Sequence, residues 1–425
     1  MKVRGLAGYA ALGLPLAMAM LPIYMISPKF YGDALGVNLA ALGAVLFLAR
    51  LLDTIQDPFI GRLVDFLQHK KAGWPVLMSL GAVVLALGFV MLFDPPRWSE
   101  TGLLAWLAVS LVVVYSAHSV INVCYLTWGA RLTDDVDGRS RVTAWREAFG
   151  LVGVVVASML PAFWVADEGA RQGYRQFAWV FVGVLGVGLS WTLWQSPKPR
   201  IVGGQSREGW QHVLAPAAVR RVLWFYFFNA VSVAIPATLV LFYIDDVLQM
   251  PGRAGLFLGL YFLSGMLTLP LWVALADRLG KAQAWLGGTC LAILAFALVP
   301  LVGQGNGVLF GVVCLVSGAA LGADLALPPA MLADVIPPAQ RPRTGLYFGI
   351  WALIAKLALA LAAGMSLPLL TVLDYQPGQP ATAWALTSLY VVLPLLFKAL
   401  AIVALFPRRG PALPPRATSR TESSS

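Results

Sequence analysis

The strings Gly61-Arg-Leu-Val-Asp65 and Ala274-Leu-Ala-Asp277-Arg-Leu-Gly-Lys281 each follow a long apolar segment, and they resemble each other. Two other strings, each an Asp followed by two Arg residues, repeat in the same way: Asp134 with Arg139 and Arg141, and Asp334 with Arg341 and Arg343. Asp277 follows Asp65 by 212 residues, and Asp334 follows Asp134 by 200 residues. These similar offsets predict that the chain consists of two related halves.

Twelve apolar segments surround these strings, each long enough for the roughly 20 residues that cross a bilayer: 6–30, 39–65, 74–94, 101–130, 144–165, 176–196, 217–245, 254–276, 283–303, 306–334, 344–371 and 381–406. A mean hydropathy of +0.77 and a charged fraction of 12%, against about 25% in soluble proteins, place most of the chain in lipid. The sequence therefore predicts an all-α membrane protein with 12 transmembrane helices. We expect the divisions to be an N-terminal half, a connector, a C-terminal half and a disordered tail, at 1–196, 197–216, 217–409 and 410–425.

The net charge of +10 is distributed unevenly between the connectors. Lys and Arg residues are concentrated in alternate connectors and at both termini, whereas the other connectors hold only Lys29, Arg97, Arg171, Arg175 and Arg253. Positive charge marks the cytoplasmic side of a membrane protein. We therefore predict a multi-pass protein of the inner (plasma) membrane with both termini in the cytoplasm, and the charge does not require a nucleic-acid partner.

The second apolar segment contains Arg50-Leu-Leu-Asp53-Thr-Ile-Gln-Asp57-Pro-Phe-Ile-Gly61. On a helix, Asp53 and Asp57 lie about 40° apart and Arg50 about 60° from Asp53, so one face carries all three. Each charge costs about 2.5–3.5 kcal/mol at the bilayer centre, so this face must line protein or water. A structural Arg–Asp pair is one interpretation. Two acids with one arginine leave a negative site, which favours a cation or proton site with Arg50 as its counter-charge.

The fourth segment carries polar side chains at intervals of three or four residues: Tyr115, His118, Ser119, Asn122 and Tyr125. This segment and the second cross the membrane in the same direction, so Ser119 and Asn122 reach about the depth of Asp57. Their oxygens would suit a hard cation beside carboxylates, although hydrogen bonding between helices would also explain them. We expect Tyr115, His118 and Tyr125 to line a solute cavity. For His118, a packed or cavity-lining role is favoured over a role as a proton relay.

Lys356 stands alone in the eleventh segment, too far from its end for its side chain to reach the interface easily. It therefore needs an anionic partner, and the candidates are Asp53, Asp57 and Asp324. We also expect Asp324, in the tenth segment, to line the solute cavity. Lys398 lies nearer to a segment end, so we expect it to reach the membrane surface and to be structural. A last group lies at the cytoplasmic helix ends, where we expect a latch between the halves: Asp65, Asp134, Arg141, Asp277, Asp334 and Arg343.

The chain resembles the glycoside-pentoside-hexuronide:cation symporters, the melibiose-permease-like branch of the major facilitator superfamily. The resemblance covers nearly the whole chain and is sharpest at 50–61, 132–147 and 345–356. It implies the major-facilitator fold, a coupling Na⁺, Li⁺ or H⁺ bound by Asp53 and Asp57 beside Lys356, a contribution of Ser119 to that site, and an approach of Arg146 to the sugar. Pro15 and Asn122 occupy the positions of the two sugar-binding acids of the galactoside transporters, and Gln56 occupies the position of an Asn. The class of solute therefore stays open and includes lysophospholipids.

The sequence therefore predicts a secondary active transporter that carries a small solute, a sugar or glycoside, together with Na⁺ or H⁺. A proton-coupled exporter or a uniporter of a lipid-like or drug-like solute is the alternative. A membrane enzyme is disfavoured because the three histidines and three cysteines form no catalytic or metal-binding motif. A receptor without transport would show no solute-dependent ion flux. We expect no cofactor, no metal beyond a possible Na⁺, and no obligate protein partner, with the solute and membrane lipid as the only partners.

Overall fold

The computed structural model describes residues 3–67, 73–130, 132, 136–199, 216–337 and 344–406, and nearly all of this part is helical. Within these ranges, twelve helices are long and apolar enough to cross a membrane. In chain order they are α1 (Val3–Ala34), α2 (Leu39–Leu67), α3 (Gly73–Phe93), α4 (Glu100–Ala130), α5 (Val136–Glu168), α6 (Ala170–Gln195), α7 (Ala217–Val247), α8 (Ala254–Leu279), α9 (Lys281–Leu301), α10 (Gly307–Val335), α11 (Thr344–Val372) and α12 (Ala383–Leu405).

The predicted number of spans is confirmed, and only two of their boundaries differ by more than four residues. Helix α5 begins at Val136 instead of residue 144, because its first two turns are polar and lie outside the apolar segment. Helix α6 begins at Ala170 instead of residue 176, directly after Gly169, whose φ of +83° ends α5. Most of the predicted connector, 200–215, and the predicted tail, 410–425, lie outside the described residues.

The first helix of each half changes its winding near one end. Helix α1 contains two π-helical stretches, Pro22–Ile26 and Phe30–Ala34, and α7 ends in a third, Tyr243–Val247. Proline lacks the N–H of a regular helix, and a π turn is one way to pair the backbone groups that it leaves. The two terminal π turns carry Asp33 and Asp245, so corresponding ends of α1 and α7 present acidic side chains.

The two halves meet along three pairs of helices: α2 with α11, α5 with α8, and α1 with α7. Glycine permits close approach at these contacts. A Cβ atom on Gly364 of α11 would lie 2.9 Å from Cβ of Phe47 on α2, and one on Gly43 would lie 3.1 Å from the Ala363 carbonyl oxygen. Small residues at such contacts are characteristic of helix packing in membranes. The α2–α11 pair is therefore tightly packed at Gly43 and Gly364, which lie two to three helical turns from Asp53 and Lys356.

The outer surface of α2 shows which face meets lipid. Leu48, Ile55 and Phe59 are exposed on one face, whereas Asp53 on the opposite face is only 2% exposed. The hydrocarbon accepts the apolar face without cost, and the charged face must find partners inside the protein.

Candidate functional site

The charged face of α2 meets Lys356 of α11 inside the protein. The Lys356 ammonium nitrogen lies 3.0 Å from Asp53 Oδ2 and 2.6 Å from Asp57 Oδ2. Because α2 belongs to the first half and α11 to the second, one ammonium group joins the two halves through both carboxylates. Of the three partners considered for Lys356, the structure brings Asp53 and Asp57 to it.

Neutral side chains complete the surroundings of Asp53. Ser119 of α4 donates a hydrogen bond to Asp53 Oδ1 at 2.9 Å, and its oxygen lies 3.2 Å from the Lys356 nitrogen. Gln56 also donates to Asp53 Oδ1, at 3.1 Å, and accepts a hydrogen bond from Ser116 of α4 at 2.7 Å. Helices α2, α4 and α11 therefore converge on one carboxylate.

Arg50 provides the second positive charge near Asp53. Its Nη1 atom lies 3.6 Å from Asp53 Oδ2, which is an ion pair but longer than a hydrogen bond. Its guanidinium carbon lies 4.7 Å from the centre of the Tyr115 ring, so the ring face supplies a cation–π contact. Arg50 is therefore held beside Asp53 without a hydrogen bond to it, and Lys356 makes the shorter contact with Oδ2.

The charges of this cluster balance, but its hydrogen bonds do not. Asp53 and Asp57 contribute two negative charges, and Arg50 and Lys356 contribute two positive ones. Asp57 Oδ1 is buried and has no hydrogen-bond partner among the described residues. Two carboxylates and the Ser119 hydroxyl are oxygen ligands of the kind that a hard cation takes, and the unpaired acceptor lies among them. The residues present therefore fit a monovalent cation or a proton, with Lys356 as the group that it would displace.

A second charged cluster lies in the other half, and the sequence did not predict it. Lys398 of α12 is only 4% exposed, and its ammonium lies 2.7 Å from Asp324 Oδ2 of α10 and 2.7 Å from Asn229 Oδ1 of α7. The expectation that Lys398 reaches the membrane surface is wrong, because a partner inside the half compensates its charge. Asp324 is likewise not the partner of Lys356.

The Asp324–Lys398 pair lines a cavity that has a volume of about 310 Å³. Helices of both halves contribute to its wall: Tyr24 comes from α1, Leu151 from α5, and Ser232, Tyr261 and Asp324 from α7, α8 and α10. Most other lining residues are apolar. The cavity therefore lies between the halves, apart from the Lys356 cluster.

Of the five residues expected at the solute, only Asp324 lines this cavity. Tyr115 lies under Arg50, and His118 Nε2 lies 3.3 Å from the Leu16 carbonyl oxygen, so the packed interpretation of His118 fits its position. Tyr125 is 1% exposed and packs against Tyr9, with ring centres 4.5 Å apart. Arg146 forms an ion pair with its neighbour Glu147.

Asn122 is the one expected cation ligand that stays outside the Lys356 cluster. No hydrogen bond joins it to Asp53 or Asp57 within the described part of the chain. At 100° per residue, Asn122 lies about 60° around the helix from Ser119. The same rotation separates Arg50 from Asp53, so helical spacing alone did not show which of these side chains would reach the carboxylates.

The predicted latch residues are described only in part. Asp134, Arg343 and the side chains of Asp65 and Arg141 lie outside the described residues. Asp277 lies in the last turns of α8, and Asp334 of α10 forms a 2.6 Å ion pair with Lys281 of α9. Because Lys281 and Asp334 both belong to the second half, this pair does not join the halves, and the latch stays a prediction.

On the opposite side of the bundle, where α1 ends, an ion pair joins the two halves. We call it the Lys29 side. The buried Lys29 of α1 lies 2.6 Å from Asp33 on its own helix and 3.3 Å from Asp245 on α7. Beside it, the Tyr375 hydroxyl donates a hydrogen bond to Asp246 of α7. The sequence placed Lys29 in a connector, and only the folded contact shows that it links α1 to α7.

Comparison with known proteins identifies the family of this chain. The sequence pattern of a family described as MFS/sugar transport protein matches residues 6–407. The chain belongs to this family. It is thus a multi-pass membrane transporter of a small-molecule solute and not an enzyme, and the predicted resemblance is confirmed.

The curated relatives and solved structures that resemble this chain are distant in sequence but match most of its length. The inner membrane symporter YicJ of Escherichia coli (strain K12) is 22% identical over 86% of this chain and 81% of its own length. The isoprimeverose transporter of Lactiplantibacillus pentosus is 22% identical over 66% of this chain and 60% of its own length. The solved structure of the nucleoside transporter NupG covers 95% of this chain and 98% of its own, with a TM-score of 0.67 and 14% identity. That likeness shows the major-facilitator fold.

Proposed function

We propose that this chain is a secondary active transporter that carries a sugar or glycoside together with Na⁺ or H⁺ by alternating access. The observation that carries this proposal is the position of Lys356, whose ammonium is shared by Asp53 and Asp57 across the two halves. The names of the relatives, a symporter and an isoprimeverose transporter, support the same class of function.

The coupling ion and the lysine compete for the same oxygens. A cation bound between Asp53 and Asp57 would add a positive charge to a cluster whose charges already balance, so the Lys356 ammonium would have to move away. A proton on Asp57 would remove the charge that holds Lys356 at 2.6 Å. Either event weakens a contact between α2 and α11.

Loss of that contact links ion binding to the motion of the halves. A ligand shifts a two-state equilibrium only as far as its affinities for the two states differ. The Lys356 contact exists in this conformation, and an ion that replaces it favours conformations in which α2 and α11 separate. Ion binding would thereby change access to the cavity.

The two halves are in contact at the Lys29 side in this conformation. Lys29 of α1 lies under the ring of Phe242, with its nitrogen 4.9 Å from the ring centre, and it forms an ion pair with Asp245. Phe242 and Asp245 both belong to α7. The ion pair between Lys29 and Asp245 must break before α1 and α7 can part. We propose that these contacts form the gate on this side of the membrane and that the predicted latch residues act on the other side.

The location follows from the spans and the charge pattern. Twelve spans and the inner-membrane relative support a place in the inner membrane. The positive-inside rule supports cytoplasmic termini, so that the Lys29 side would face outward. Surrounding lipid would contact exposed apolar side chains such as Leu48 and Phe59.

Uptake into proteoliposomes tests the proposal. We expect an inward Na⁺ or H⁺ gradient to drive accumulation of a radiolabelled glycoside above its equilibrium level, and we expect an ionophore that dissipates the gradient to abolish it. Equilibration without accumulation would show a uniporter. The largely apolar wall of the cavity favours a lipid-like solute as the alternative substrate, and lysolipid transport without any sugar transport would establish it.

A further inference from the structure

The cluster of Asp324, Lys398, Asn229 and Trp285 differs from the Lys356 cluster, because all of its members belong to the second half. Asp324 Oδ1 accepts hydrogen bonds from the Asn229 amide at 3.1 Å and from the Trp285 indole at 2.7 Å. Lys398 lies above the Trp285 ring, 5.8 Å from its centre. Three helices besides that of Lys398 therefore fix the position of a single ion pair.

This ion pair retains one donor and one acceptor. An ammonium group has three N–H donors, and Lys398 uses two of them, on Asp324 and Asn229. A carboxylate has about four acceptor sites, and Asp324 uses three, two on Oδ1 and one on Oδ2. The remaining donor and the remaining acceptor are on groups that lie 2.7 Å apart.

The rest of the cavity wall offers little else to a charged solute. Asp324 and Lys398 are the only charged side chains that line it in the described part of the chain. Aromatic rings make up much of the remaining wall: Tyr24, Phe257, Tyr261, Phe262, Phe296 and Tyr390. Such rings bury apolar faces of a ligand, and a buried charge without a partner is costly.

These observations discriminate between classes of solute. A hydroxyl group is both donor and acceptor, so it matches the two unused positions of the ion pair. A solute carboxylate that reached Lys398 would lie against the negative Asp324, and a solute ammonium that reached Asp324 would lie against Lys398. Charge repulsion therefore disfavours both kinds of ion.

We infer that the Asp324–Lys398 pair binds a hydroxyl of an uncharged glycoside whose ring packs on the aromatic wall, and that it rejects the corresponding uronide. This inference rests on the proposed sugar transport and narrows its substrate class. It places the polar contact for the sugar in the second half, separate from the cation site between α2, α4 and α11.

Binding of matched sugars to the purified full-length protein tests the inference. The probes are methyl β-D-glucoside with methyl β-D-glucuronide, methyl β-D-galactoside with methyl β-D-galacturonide, and methyl β-D-xyloside. Within each pair the members differ only by a neutral or an ionised group at one carbon. We expect at least one neutral probe to bind about tenfold more tightly than its uronide, which corresponds to about 1.4 kcal/mol.

Asp324→Asn should remove the preference for neutral sugars if the pair acts as inferred. The amide retains the size of the side chain and an acceptor for Trp285, but it leaves the Lys398 charge without a counter-ion. We expect the ratio of neutral to uronide affinity to fall by about tenfold or more, which a purely structural ion pair would not cause. Asp94→Asn is the matched control, because Asp94 forms an exposed ion pair with Arg175 away from the cavity.

A second variant protects the test if Asp324→Asn does not fold. In Asp324→Asn/Lys398→Gln no charge is left unpaired, and we expect weaker neutral binding with no gain for uronides. A wild-type protein that prefers uronides, or a double variant with unchanged affinity and selectivity, would overturn the inference while leaving sugar symport intact. If no probe binds to folded protein and no gradient drives sugar uptake, the proposed function fails as well.

Discussion

The Lys356 ammonium lies 2.6 Å from Asp57 Oδ2, although 299 residues separate the two along the chain. Asp57 belongs to α2 in the first half, and Lys356 belongs to α11 in the second. An ion pair that spans the halves is sensitive to their relative motion. Variants that break this contact should therefore uncouple the ion from the solute.

Replacing either acid of α2 should abolish uphill transport. In Asp53→Cys or Asp57→Cys the cation loses a charged ligand, so we expect accumulation driven by an ion gradient to fall to the equilibrium level while the protein still inserts and folds. Uptake of labelled glycoside into proteoliposomes, with and without the gradient, measures this. Asp94→Cys serves as the control, and accumulation at the wild-type level in either α2 variant would contradict the proposed cation site.

Removing the lysine should change which ion drives transport. Lys356→Ala leaves Asp53 and Asp57 with only Arg50 to balance them, and the excess negative charge favours binding of a proton. We expect transport to become more dependent on pH and less on Na⁺. Lys356→Arg retains the charge and provides the matched control. Unchanged pH dependence and ion preference in Lys356→Ala would indicate a lysine that is merely structural.

The hydroxyl of Ser119 should matter for a metal cation more than for a proton. Ser119→Ala removes an oxygen that lies 2.9 Å from Asp53 and 3.2 Å from Lys356. If Na⁺ is the coupling ion, we expect the Na⁺ concentration for half-maximal uptake to rise by about three- to tenfold, which corresponds to about 0.7–1.4 kcal/mol. Ser110→Ala, in the same helix but bonded to the Trp106 carbonyl, is the control. Wild-type Na⁺ dependence in Ser119→Ala would exclude Ser119 from the ligands.

The Lys356 cluster could be predicted because two local rules converge on it. Helical geometry places Arg50, Asp53 and Asp57 on one face, and the cost of charge in lipid requires partners for that face and for Lys356. Neither rule needs knowledge of how distant helices pack. The same reasoning led to the twelve spans, because hydropathy and length are also local properties.

The Asp324–Lys398 cluster escaped prediction for a physical reason. Lys398 lies near enough to the end of α12 that its long side chain could reach the membrane surface, and the sequence does not show that Asn229 and Asp324 surround it instead. Its partners lie 169 and 74 residues away in the chain. The available signal was that Asp324 is a second lone charge in an apolar span of the same half.

The solute residues on α4 and α5 show the limit of spacing arguments. Tyr115, His118 and Tyr125 follow a helical stripe, yet Tyr125 packs on Tyr9 and Tyr115 on Arg50. A membrane helix in a bundle has several protein-facing sides, so a polar stripe does not by itself show which side meets the cavity.

The contact between Lys29 and Asp245 should control access from the Lys29 side. Lys29 is buried and lies 3.3 Å from Asp245 on the other half, so Lys29→Ala leaves Asp33, Asp245 and Asp246 close together without the ammonium that offsets their charge. Like charges then repel across the α1–α7 contact, and we expect the population open on this side to increase.

Val37, which is 2% exposed at the same side, reports the change when it is replaced by cysteine in a background in which Cys124, Cys290 and Cys314 are serine. We expect a membrane-impermeant maleimide to label Val37→Cys at least about threefold faster in Lys29→Ala, as a shift of about 0.7 kcal/mol would produce. Arg175→Ala is the matched control, because Arg175 pairs with Asp94 on the same side but within one half. Asp65→Asn/Asp277→Asn should act in the opposite direction if those residues are cytoplasmic latches, since it favours the state that is closed at Lys29 and slows labelling. Equal labelling rates in Lys29→Ala and wild type would show that closure of this side depends on the apolar contacts of α1 and α7 and not on the ion pair.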